Sequence, residues 1–225
     1  MCKKCLLISL ILLSACSNGS TDKISNLQSP TPKKELKVDI PNASWVKIYF
    51  EGIDKNDHRA INKIIQRNDI YNLRGKVLAE GDFEIRLWVG FGKYGNDGLI
   101  LKRNSVGNWT ATYLSEMLCH LEKRGKYNLE TPKSGWENVW QKLAESEILT
   151  LPDSSKLKYE NGVLDGKSYV VETNSEYFYR IYHYPNPQHE KLKEAEQMKK
   201  IGQIIADEFG LESFSSNKGG CKSNE

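Results

Sequence analysis

Phe83-Glu84-Ile85-Arg86-Leu87-Trp88-Val89 alternates strictly, with Phe83, Ile85, Leu87 and Val89 on one side of an extended chain and Glu84, Arg86 and Trp88 on the other. Successive side chains of a strand point to opposite faces, so this pattern predicts a half-buried β-strand. Downstream, residues 90–98 are rich in glycine and residues 99–102 are extended again. Val106-Gly107-Asn108 supplies a turn, and residues 109–114 resume strand character. Strands joined by such short polar turns predict an antiparallel meander.

Further out, residues 168–173 and 177–184 are rich in β-branched and aromatic side chains and flank Asn174-Ser175-Glu176, which predicts a hairpin. Residues 44–50, with Trp45, Val46, Ile48, Tyr49 and Phe50, read as one more strand. Helices are predicted where the apolar spacing changes to about 3.6. Asp54 or Asn56 can cap a helix carrying Ala60, Ile61, Ile64 and Ile65, and Ser134-Gly135-Trp136-Glu137 has a capping-box pattern ahead of Val139, Trp140 and Leu143. Asn186-Pro187 opens a long helix whose stripe of Leu192, Ala195, Met198, Ile201, Ile204, Ile205 and Phe209 ends at Gly210. The expected fold class is α+β: antiparallel strands in two groups, covered on one face by helices at about 55–68, 135–147 and 187–209. Residues 117–131 give no clear pattern.

At the other end of the chain, Lys3 and Lys4 precede an apolar run at residues 6–13, followed by Ser14 and Ala15. A charged start, an apolar centre and small residues make an export signal, and the run falls short of the roughly 20 residues a membrane-spanning helix needs. Leu13-Ser14-Ala15-Cys16 resembles the lipobox of bacterial lipoprotein precursors. The resemblance covers only this first segment. It implies cleavage before Cys16, a diacylglyceryl group on the Cys16 thiol and acylation of the new amino terminus, so that several acyl chains together give a stable membrane anchor. In a Gram-negative cell, Ser17 stands where aspartate would mark inner-membrane retention, which points to the outer membrane.

The expected organisation is therefore a cleaved signal peptide at 1–15, a lipid-anchored flexible tether at 16–43, one globular domain at 44–214 and a disordered tail at 215–225. The tether stretch is rich in Ser, Asn, Thr and Lys and holds Pro30, Pro32 and Pro41. Of 32 Lys and Arg, Lys3 and Lys4 leave with the signal while all 29 Asp and Glu remain. A nearly neutral mature chain argues against a nucleic-acid partner. Three of the five cysteines survive cleavage. With Cys16 acylated, Cys119 and Cys221 remain as a candidate disulfide in an oxidising compartment.

No catalytic or metal constellation emerges from the sequence. Gly90-Phe91-Gly92-Lys93-Tyr94-Gly95 matches the dinucleotide-binding glycine spacing, but that site requires a helix directly after the glycines and here another strand is predicted. Hence no cofactor is expected. His58, His120, His183 and His189 lack paired metal spacing, and no serine nucleophile elbow occurs. The candidate binding surface is the aromatic hairpin. With a three-residue loop, Glu172 lies opposite Phe178 and diagonal to Arg180, on one face with Tyr182 and Tyr184, and tyrosine offers apolar area with a hydroxyl suited to a glycan or peptide. The functional expectation is a non-enzymatic, membrane-anchored envelope module that binds a protein or glycan. The alternatives are an envelope hydrolase with dispersed carboxylates such as Asp153, Glu160 and Asp165, and an immunity-type lipoprotein.

Overall fold

The computed structural model describes residues 35–92, 95–116, 124–159 and 166–215. Among them the chain runs β1 (Lys37–Asp39), α1 (Ser44–Glu51), α2 (Ile61–Arg67), β2 (Phe83–Gly92), β3 (Gly95–Arg103), β4 (Trp109–Ser115), β5 (Gly125–Leu129), α3 (Trp136–Glu145), β6 (Ser168–Ser175), β7 (Phe178–Pro185) and α4 (Lys193–Phe209). The fold is α+β. One sheet of seven strands has the order β1-β7-β6-β2-β3-β4-β5. It is mixed, because β1 runs parallel to β7 while the other neighbours are antiparallel. The meander and the hairpin are thus joined through the β2–β6 pairing into a single sheet.

The alternating stretch lies near the middle of that sheet, and both of its faces are buried. Ile85, Leu87 and Val89 join Val139 and Leu143 of α3 and Met198, Ile201 and Ile205 of α4 in one core. Trp88 joins Trp45 and Phe50 of α1 and Ile61, Ile64 and Ile65 of α2 in a second core on the opposite face. Helices therefore cover both faces. The half-wet sheet and the three helices on one face are corrected, and the cause is α1. Residues 44–50 fold as a helix instead of a strand, because a helical turn lets Trp45 and Phe50 bury together on the sheet while Tyr49 lies beside Trp45. Tertiary packing overrides their strand preference.

Other local expectations shift in the same way. Gly135, not Ser134, is the residue that caps α3, and Ser134 donates its hydroxyl to Glu208 instead. Asn186-Pro187 opens a short 3₁₀ turn, and α4 begins only at Lys193. Residues 117–131, unassigned from sequence, contribute β5. The sheet begins at β1, within the stretch read as tether.

The Gly90–Gly95 segment is a hairpin. Gly90 pairs with Asn96 and Gly92 with Gly95, and β3 follows where a nucleotide site would need a helix. Gly90 has φ of +121°, and a Cβ there would collide with the Gly95 carbonyl oxygen, so only glycine fits. Among the described residues no helix is long and apolar enough to cross a membrane. Cys16, Cys119, Cys221, His120, Glu160 and Asp165 lie outside the described residues.

Candidate functional site

The structure places the four aromatic-hairpin residues inside the protein. Glu172, Arg180, Tyr182 and Tyr184 are all buried. The hairpin turn holds two residues, and the register pairs Glu172 with Ile181 and Thr173 with Arg180. That register differs from the three-residue-loop register by an odd number of positions, which moves a side chain to the other face. Glu172 therefore faces α1 and α2, while Arg180, Tyr182 and Tyr184 face α3 and α4.

On the α3/α4 face these side chains hold the chain's own 148–153 segment. Arg180 donates Nη1 to the Leu149 carbonyl and Nη2 to the Leu151 carbonyl, the latter at 2.5 Å. The Tyr182 hydroxyl reaches the Ile148 carbonyl at 2.8 Å and the Tyr184 hydroxyl the Pro152 carbonyl at 2.7 Å. A chain segment with no regular secondary structure must have its carbonyls satisfied when it is buried, and the β7 side chains do so. Asp153 completes the attachment. One of its oxygens accepts from the His183 backbone N–H at 2.9 Å and the other from Ser155 N at 3.0 Å, so this carboxylate is buried and occupied.

On the α1/α2 face the sheet carries buried charge. Arg86 sits directly opposite Glu172 across the β2–β6 pair and donates Nε to Glu84 at 2.7 Å. Burial pulls the Arg86 pKa down, but Glu172 and Glu84 together carry it above its ordinary value. Glu172 accepts from Trp88 Nε1 at 2.8 Å and from the Tyr179 hydroxyl at 2.9 Å. Trp88 in turn fills the space over Gly98, where a Cβ would stand 2.5 Å from its ring. These groups pack among core side chains, so the network is structural.

The open concavity lies at the end of the sheet where β3 begins and β4 finishes. It is a cleft of about 360 Å³ bordered by the 54–59 turn, by Arg67 of α2, by Asn96 at the start of β3, and by Glu116 and Arg124 either side of the β4–β5 connection. Its floor is built by short polar links. Asn96 accepts from Phe91 N at 2.6 Å and donates to the Arg59 carbonyl, which pins the 54–59 turn to the hairpin. Asp57 shapes the same turn, accepting from Ile53 N and from both the backbone and the guanidinium of Arg59. Asp97 accepts from Glu116 N at 2.9 Å and from the Tyr113 hydroxyl at 2.7 Å, fixing where Glu116 stands.

Glu116 is the hub. Its side chain is 3 % exposed. Arg67 grips it with two nitrogens at 3.0 and 2.6 Å, Asn68 Nδ2 donates at 2.7 Å and Arg124 Nε at 2.5 Å. Burial alone would raise its pKa, but the donors from Arg67, Arg124 and Asn68 outweigh that and hold it below the usual carboxylate range. The arrangement sets fixed positive groups around a carboxylate whose ionised form they favour, a geometry suited to recognition of charge.

No protein-family model matches the chain, and no curated protein matches it either. The site thus stands on its own geometry. Sequence reasoning missed this cleft because Arg67 and Glu116 lie 49 positions apart and meet only once α2 packs on the sheet. The one local signal was the density of Asp, His and Arg in residues 54–59. Among the described residues no group of three or more His, Cys, Asp or Glu could hold a metal ion.

Proposed function

We propose that this chain is a membrane-anchored bacterial envelope lipoprotein, held by lipid on Cys16, whose folded domain is a non-enzymatic binding module acting through the cleft between the 54–59 turn and Arg124. The observation that supports binding over catalysis is the state of two carboxylates in the cleft. Glu116 and Asp57 are both held below their ordinary pKa by arginine donors, although burial pushes each the other way. A general acid or base working near neutrality needs the opposite perturbation. Anchoring is supported by the lysines, the apolar run and the lipobox-like Leu13-Ser14-Ala15-Cys16. The Ser-, Asn-, Thr- and Lys-rich composition after Cys16 supports the tether reading. The proposed location is the cell envelope, at the outer membrane in a Gram-negative cell, with a protein or glycan as partner.

The test is co-purification from cross-linked cells, comparing the wild type with Cys16→Ser. The expected result is membrane fractionation and a stoichiometric partner for the wild type, with both lost in the variant. Equal membrane recovery of the two proteins contradicts the anchor, and an activity on an envelope substrate abolished by one substitution contradicts the non-enzymatic reading.

A further inference from the structure

The geometry points to Arg124 as the ligand-gripping residue of the cleft and to a small oxyanion, a carboxylate or phosphate group, as what it grips. The inference rests on the cleft being the binding site and adds the chemistry of its ligand.

Three guanidinium groups border the cleft, and they are not equivalent. Arg67 uses all three of its nitrogens within the protein: Nε and Nη2 hold Glu116, and Nη1 donates to the His58 carbonyl at 2.8 Å. Arg59 is paired with Asp57 at 2.8 Å within the same turn. Arg124 differs. It touches Glu116 through Nε alone, on the oxygen that already receives Arg67 Nη2. Its side chain is 34 % exposed, and its two terminal nitrogens make no hydrogen bond among the described residues.

Those two nitrogens form the planar fork that matches a carboxylate or phosphate with paired hydrogen bonds. Glu116 does not depend on Arg124, because Arg67 and Asn68 already supply three donors to its two oxygens. An incoming oxyanion can therefore draw Arg124 toward itself without stranding a buried charge. Arg124 is the more exposed partner of the Arg124–Glu116 pair, and Glu116 keeps its Arg67 and Asn68 donors during the exchange. The volume of about 360 Å³ admits an anionic group with a modest body attached.

The test titrates the full chain in detergent with inorganic phosphate and, separately, with acetate, each against chloride at constant ionic strength. Binding is read from heat and from the Arg124 side-chain N–H resonance. The expected result is a saturable response with movement of the Arg124 resonance, and affinity at least roughly tenfold weaker in Arg124→Gln. Lys199→Gln, which removes an exposed pair on α4, leaves binding unchanged. Saturation by phosphate alone assigns a phosphate-bearing ligand and saturation by acetate alone a carboxylate, while saturation by both keeps the wider class. Neither anion saturating overturns the inference. So does an Arg124→Gln protein that binds as tightly as the wild type, or an Arg124 resonance that stays still while heat is released. The titration does not depend on lipidation, so its failure leaves the anchored reading standing, and loss of the anchor leaves the titration meaningful.

Discussion

Arg86→Met is expected to destabilise the domain by about 3–5 kcal/mol, a large share of the stability of a domain this size. Arg86 is fully buried in the middle of the sheet, opposite Glu172 and hydrogen-bonded to Glu84, and both of those carboxylates are buried as well. Removing the one buried guanidinium between them leaves two ionised groups in a low-dielectric interior. The methionine restores the volume but not the charge. Lys102, 3.6 Å from Glu84 and 40 % exposed, compensates only from the edge. Urea unfolding at neutral pH measures the loss. The triple change Arg86→Met, Glu84→Gln, Glu172→Gln recovers most of it, because the cost comes from uncompensated charge. A glutamine at 172 still accepts from Trp88 or Tyr179. If Arg86→Met unfolds at the wild-type urea midpoint, or if the triple variant is less stable than the single one, the buried network does not hold this face together.

Acidification from about pH 7 to pH 5 is expected to lower stability by about 2 kcal/mol through His183 alone. His183 is buried against the Trp45 and Tyr49 rings, both 4.9 Å away by ring centroid. Burial pushes its pKa from 6.5 down to about 3. The folded state therefore keeps this imidazole neutral while the unfolded state takes up a proton below 6.5, so the unfolded chain binds more protons and stability falls as the pH falls. The loss begins near pH 6.5 and continues toward 3. Glu116, Asp57 and Glu208, whose pKa values are lowered in the folded state, add their losses at more acidic pH, below the ordinary carboxylate range. The interval from about pH 6.5 to 5 thus isolates the histidine. His183→Phe and His183→Gln should each flatten the profile there, whatever their effect at pH 7. A slope in either folded variant equal to the wild type's would assign the acid sensitivity elsewhere.

The strands were legible because their signal is local. The alternation in residues 83–89 and the β-rich runs at 168–184 become β2, β6 and β7. The long C-terminal helix was legible for the same reason, since its apolar stripe repeats over four turns and Gly210 closes it in the left-handed conformation. What the sequence concealed depended on partners distant along the chain. Trp45, Tyr49 and Phe50 favour a strand in isolation and become a helix because the sheet beneath takes their rings. Without that helix, Glu84, Arg86 and Glu172 looked like a solvent-facing row, and the hairpin tyrosines looked free to bind. The loop length settled the second point: one residue fewer in the turn sends Glu172 and Arg180 to opposite faces. The cleft was hidden for a related reason, since Glu116 collects donors from α2 and from the start of β5.

The fold thus accounts for the conspicuous aromatic and charged residues of the hairpin as internal supports, and the arginine-lined cleft is the surface proposed for binding. Above all, we propose that this domain works while fixed to a membrane through Cys16. Mass analysis of the amino-terminal peptide of the protein extracted from cell membranes tests it most directly. The expected result is a chain beginning at Cys16 whose first residue carries diacylglyceryl and acyl groups. An unmodified Cys16, or a chain still beginning at Met1, would contradict it.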